Sequence, residues 1–242
     1  MSHHSTEQIE SLQFVYKFQF ENETEKSFGI ILDGRTLELQ TSPVAEKPEW
    51  TKLHFHQCEN CPLKPEEEYC PVAVNISTLV ESFKLYNSTD GVFVVVEGPE
   101  RSYGKETSLQ KGLSSIMGIY MVTSNCPVMD QLRPMVRFHL PFATTIETVY
   151  RSVGMYLLAQ YFIQRNGGTP DWKLEKLIDT YKGVSKVNKG MWQRISSATK
   201  LDANVNAIVI LNSFGDILRH FVKSSIDDIE RLFDEYIKRS SQ

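Results

Sequence analysis

The strongest constraint in this 242-residue sequence is the placement of its four cysteines, Cys58, Cys61, Cys70 and Cys126, in the spacing C-x2-C-x8-C-x55-C. A two-residue step brings two sulfurs to one ion through a tight knuckle. The third comes from the same loop, and the fourth has to be delivered by the fold. Four thiolates, none left over, suit a tetrahedral zinc ion with Zn–S distances of about 2.3 Å. Three of the four precede proline, in Cys61-Pro62, Cys70-Pro71 and Cys126-Pro127. Proline is favoured at the first helical position, where its missing N–H would be unpaired anyway. Cys70 and Cys126 are therefore expected at helix N-caps, with the positive end of the helix dipole facing each sulfur. A structural four-cysteine zinc site of this kind would staple the loop to the C-terminal half.

Competing readings of the cysteines are weaker. Free cysteine is often an inert core residue, but unrelated core cysteines would not share a Cys-Pro context. A [4Fe–4S] cluster also takes four thiolates, often next to proline, yet the spacing matches neither ferredoxin pattern. A Cys58/Cys61 redox switch is expected beside a βαβ unit, and here the pair follows strands. His54 and His56 lie just upstream and read as neighbours of the site or surface residues, and Glu66–Glu68 reads as a solvated acidic edge. The runs Cys58-Glu-Asn-Cys-Pro-Leu, Tyr69-Cys-Pro-Val-Ala and Asn125-Cys-Pro-Val-Met resemble those of uncharacterised bacterial hypothetical proteins with such cysteines. That resemblance implies no activity.

Composition sets the broader class. Hydrophobic residues make up 41% of the chain and the formal net charge is −4, which fits a globular core and argues against a general nucleic-acid binder. Residues 1–100 carry 7 basic and 17 acidic side chains, whereas residues 101–242 carry 19 and 13. The basic C-terminal part would suit a protein partner or an anionic ligand. The polar N-terminus and the absence of long apolar runs imply no secretion signal and no membrane span, hence a cytoplasmic location with reduced thiols. The sequons at Asn22, Asn75 and Asn87 are then chance matches.

Periodicity indicates an α+β fold: an N-terminal antiparallel β-meander packed on a larger helical part. One composite domain, 1–242, is expected. Its parts are a meander over 1–56, a Cys-rich loop with strands and helices over 57–142, and a helical bundle over 143–242. In the meander, Phe14, Tyr16, Phe18 and Phe20 alternate onto one face. Strands over 28–33, 36–40 and 50–56 follow, with Asp33-Gly34 as a hairpin turn and Pro43 and Pro48 in a loop. Val92–Val96 reads as a strand buried on both faces, with 101–106 returning beside it. Helical stripes run through Val72–Phe83, Leu109–Met121, Ile146–Tyr161, Leu174–Val184 (continuing to Ile195), Ala207–Val222 and Ile226–Ile237.

Catalysis finds little support. Gly98–Thr107 lacks P-loop spacing and carries Glu106 after Lys105, so it reads as a hairpin. No triad, paired carboxylates or H-E-x-x-H pattern is present. Between Arg101 and His139, Tyr103, Lys105, Lys111, Ser114, Ser115, Thr123, Ser124, Arg133 and Arg137 concentrate polar and basic groups. Of these, Arg133, Arg137 and His139 are candidates for binding an anionic ligand, or substrate if the protein is an enzyme; the two arginines could instead offset the charge of a thiolate-bound metal. The favoured reading is a cytosolic binding or regulatory module with structural zinc. The alternatives are an iron–sulfur redox or sensor protein and an enzyme acting on an anionic substrate.

Overall fold

The computed structural model describes residues 11–40, 46–224 and 229–240, with 215–224 described by backbone alone. Its architecture is α+β. Strands β1 (Ser11–Phe20), β2 (Glu25–Asp33), β3 (Gly91–Glu97) and β4 (Ser102–Ser108) form one antiparallel sheet in the order β2-β1-β3-β4. The α-helices among the described residues are α1 (Pro71–Phe83), α2 (Leu109–Val122), α3 (Pro134–Arg137), α4 (Thr145–Arg165), α5 (Glu175–Ala198), α6 (Ala203–Ser224) and α7 (Asp234–Ser240).

The alternation seen in β1 sets the sheet's inner face. Leu12, Phe14, Tyr16 and Phe18 are buried beside Ile30 and Leu32 of β2 and Val92, Val94 and Val96 of β3. Helices α1 and α2 cover this face. The Phe83 ring lies 5.1 Å from Phe18. At Gly112 the α2 backbone comes so close that a Cβ would meet Phe18 and Val94 side-chain carbons at 2.9 Å. Helix α6 packs on both α2 and α5, carrying the same hydrophobic core away from the sheet.

The expected meander over 1–56 is corrected. Among the described residues only β1 and β2 come from it, and the sheet is completed by the β3–β4 hairpin pairing on the other edge of β1. Residues 36–40 form no strand. The Asp33 carboxylate accepts from the Arg35 and Thr36 N–H groups, Leu37 takes a left-handed φ of 59°, and a single bridge joins Leu32 to Leu39. Residues 50–56 are not a strand either. Glu49–Thr51 is a 3-10 turn followed by a Lys52–Tyr69 bridge, and Trp50 and Leu53 point into the core. Pro43 and Ile226 lie outside the described residues.

Two further expectations shift. Strand β3 is buried on one face only, since Phe93 is exposed. Pairing on both sides by β1 and β4 satisfied its backbone without covering its outer side chains. In α4 most of the apolar stripe, including Ile146, Tyr150, Leu158 and Tyr161, is exposed, while Val149 is buried. Helix α4 still starts on a complete capping box between Thr144 and Glu147. Helix α5 runs unbroken from Glu175 to Ala198, so the stripe that starts at Leu174 does continue through Ile195. No helix among the described residues is long and apolar enough to cross a membrane.

Candidate functional site

Residues 46–70, ahead of α1, fold as loops and a 3-10 turn pinned by α5. A turn closes from the Cys61 N–H to the Cys58 carbonyl at 3.0 Å. Asn60 donates to the Gly183 carbonyl at 3.1 Å, Lys186 pairs with Glu59 at 2.9 Å, and the Cys58 thiol approaches the Val187 carbonyl at 3.9 Å. The fit is close: a Cβ at Gly190 would lie 2.7 Å from Cys58 Sγ. One turn farther along α5 stands Arg194, fully buried. Its Nη1 donates to the Trp50 and Lys52 carbonyls at 2.8 and 2.6 Å, and its Nη2 to Leu53 at 2.7 Å. Its Nε is a buried donor with no partner among the described residues. Removing an arginine's charge from water is expensive, so this residue has to be compensated locally.

Cys70 is the N-cap of α1, with Pro71 following, as the Cys-Pro step implied. Its side chain makes no cap hydrogen bond, but the nearby Val72 and Ala73 N–H groups favour the thiolate, working against the burial that pushes the thiol up. Cys126 heads a turn rather than an α-helix. Asn125 before it takes a left-handed φ of 63°, the nearby Val128 and Met129 N–H groups favour its thiolate, and Met129–Leu132 is 3-10. Pro134 starts the only α-helix there, the four-residue α3. Each pair among Cys58, Cys61, Cys70 and Cys126 is close enough for one sulfur's charge to disfavour ionisation of the other. Burial is the largest influence on Cys58, pushed up to about 12, and Arg194 opposes it. All four are free thiols. Among the described residues, no three His, Cys, Asp or Glu side chains stand in a metal-ready arrangement. His54, His56 and Glu66–Glu68 are exposed.

The three candidate anion-binding residues separate. Arg133 braces the Cys126 turn, donating to Asn125 Oδ1 at 2.7 Å and pairing with Asp130, with Glu38 at 3.8 Å. His139 lies elsewhere, on the wall of a cavity of about 580 Å³ whose described lining includes neither Arg133 nor Arg137. The cavity is bounded by one face of α2, the start of α4 and parts of α5 and α6, with α3 and its flanking turns closing it. Tyr16 OH reaches Ser115 Oγ at 2.8 Å and His139 Nε2 at 2.5 Å, joining the sheet to this wall. Burial, with Arg151 adding to it, lowers His139 to about 3, so its ring is neutral at physiological pH.

Arg151 and Arg194 were not legible as site residues. Each is recognised by the backbone carbonyls it ties, and those lie far away in sequence for Arg194 and on the α3 turn for Arg151, whose Nη2 donates to the Met135 and Phe138 carbonyls. Of the polar cluster noted between Arg101 and His139, Lys105, Lys111, Ser114, Ser115 and His139 do reach the cavity.

No curated protein and no solved structure matches this chain. A family model matches residues 14–234, and the chain therefore belongs to the family described as Domain of unknown function (DUF6901).

Proposed function

We propose that the protein is a non-catalytic binding module whose loop region is held by a structural zinc ion on Cys58, Cys61, Cys70 and Cys126. The observation that carries this reading is that the four thiols all lie within one another's electrostatic reach, although they come from three separate segments. The surroundings fit the donor set. Four thiolates and Zn2+ leave a net charge of −2, which the N–H groups of two turns and the buried Arg194 guanidinium would offset. Arg194 Nε, otherwise an orphaned donor, faces the same electrostatic environment. Zinc would supply a crosslink between the 58–70 loop and the Cys126 turn. Because thiols ionise as they bind metal, loading would release protons and tighten the thiol geometry from its metal-free form.

Elemental analysis of protein purified under reducing conditions without added metal tests the reading. One zinc per chain in a colourless protein is expected, with loss of that zinc and a lower Tm in Cys126→Ser. A brown, iron-containing protein would replace zinc with the cluster alternative. Metal-free protein that neither takes up zinc nor changes its Tm on chelation would overturn the reading.

A further inference from the structure

The cavity beside α2 is polarised along its length. Lys111 and Val122 both line it, and at 1.5 Å per residue they mark about 16 Å of helix. Lys105 and Lys111 stand at one end, where β4 leads into α2. Arg151, half-buried on α4, joins the lining. Its Nη2 is used on two carbonyls, and no described residue partners its Nη1 or Nε. None of these three cations makes a direct ion pair among the described residues, and no Asp or Glu occurs in the described lining, although the Glu147 carboxylate at the start of α4 lies within electrostatic reach of Lys105 and Arg151. Towards the far end of α2 the wall becomes Ile119, Val122, Met129 and Leu132.

The wall also carries two largely buried residues whose polar atoms open onto the cavity. Ser114 and Asn188 are only 4% and 2% exposed, both line the cavity, and neither side chain has a hydrogen-bond partner among the described residues. In the cavity, water or a ligand's polar group can satisfy those atoms. A volume of about 580 Å³ lies within the usual range for a small-molecule site.

We propose that this cavity binds a single amphipathic carboxylate, with its chain laid along α2 towards Ile119 and Leu132 and its acid group held by Lys105, Lys111 and Arg151. The surplus of positive charge, three cations against the one nearby carboxylate of Glu147, selects an anion. The apolar remainder selects a long alkyl chain over a compact sugar or nucleotide, which would strand hydroxyls against methyl groups. The inference is separate from the metal reading, because none of its residues belongs to the cysteine cluster.

Calorimetric titration of the full chain with dodecanoate, kept below its micelle concentration, tests it. One saturable site is expected, with the cationic analogue dodecyltrimethylammonium bound at least about tenfold more weakly, a difference of about 1.4 kcal/mol. Arg151→Gln should weaken dodecanoate about tenfold. Lys111→Gln, an exposed change with no fold to disturb, should weaken it measurably. Gly118→Leu should abolish binding while keeping the native melting profile, because a Cβ there meets only Leu211 Cδ2, at 3.6 Å, and the longer side chain would fill the cavity. No saturable site, equal binding of the cationic analogue, or undiminished binding by Gly118→Leu would overturn the proposal, whatever the metal content proves to be.

Discussion

Two arginines, one fully and one half-buried, make no direct ion pair with a carboxylate among the described residues, and their surroundings differ in a way that separates structure from recognition. Arg194 is sealed: three hydrogen bonds from its terminal nitrogens hold the carbonyls of Trp50, Lys52 and Leu53, and it has no exposed surface. Arg151 uses one nitrogen on two carbonyls and keeps the rest of its fork on the wall of a cavity. The first behaves as a substitute for the strand pairing that residues 50–56 lack. The second is held in place with donor capacity to spare. A fixed guanidinium with unused donors is the arrangement that planar anions exploit.

The largest test of this contrast replaces each arginine by methionine. Arg194→Met orphans three carbonyls in the core and should cost about 3 kcal/mol or more in urea unfolding. Arg151→Met should cost about 1 kcal/mol, since water entering from the cavity can satisfy the carbonyls it leaves. Equal losses would erase the distinction. A matched pair of glycines sharpens it. Gly190→Ala pushes a methyl group into Cys58 Sγ and the His56 carbonyl, at 2.7 and 3.4 Å, and should destabilise by about 1–3 kcal/mol. Gly118→Ala, with only Leu211 Cδ2 at 3.6 Å, should be neutral or stabilise by up to about 1 kcal/mol through helix propensity.

The smallest effect concerns protons. His139 has a folded-state pKa lowered from 6.5 to about 3, so the unfolded chain binds the extra proton between those values. Its contribution to stability is complete above about pH 6.5 and is lost progressively as the pH falls towards 3. At pH 6 the loss is below about 1 kcal/mol. His139→Gln should flatten the acid limb of a Tm-against-pH curve, and an unchanged limb would show that other groups govern it.

Sequence patterning was most informative where local physics decides the outcome. Alternation in β1 marked the buried face, and the Cys70-Pro71 step marked the start of α1, because a cap is set by neighbouring residues. It misled at Thr36–Gln40 and Trp50–His56, where alternation was real but other contacts won: after a turn with left-handed Leu37 only a single bridge to Leu32 forms, and a side chain more than a hundred residues downstream captured the Trp50–Leu53 carbonyls. It overextended the Cys126-Pro127 step into a helix, whereas only a 3-10 turn forms before Pro134 restarts the chain. The cavity was legible only as a surplus of polar residues between Arg101 and His139. Which of them share a wall depends on α4, α5 and α6 closing over α2.

Strand β1 pairs with its sequence neighbour β2 along one edge and with β3 along the other, in a register that joins Val15 to Glu97. The chain must therefore lay down the cysteine loop and α1 before its central strand gains a second flank. Folding rate should follow closure of that long excursion more than formation of the first hairpin. Amide protons of Tyr16 and Phe18, locked between both halves of the sheet, should be among the last to exchange with solvent.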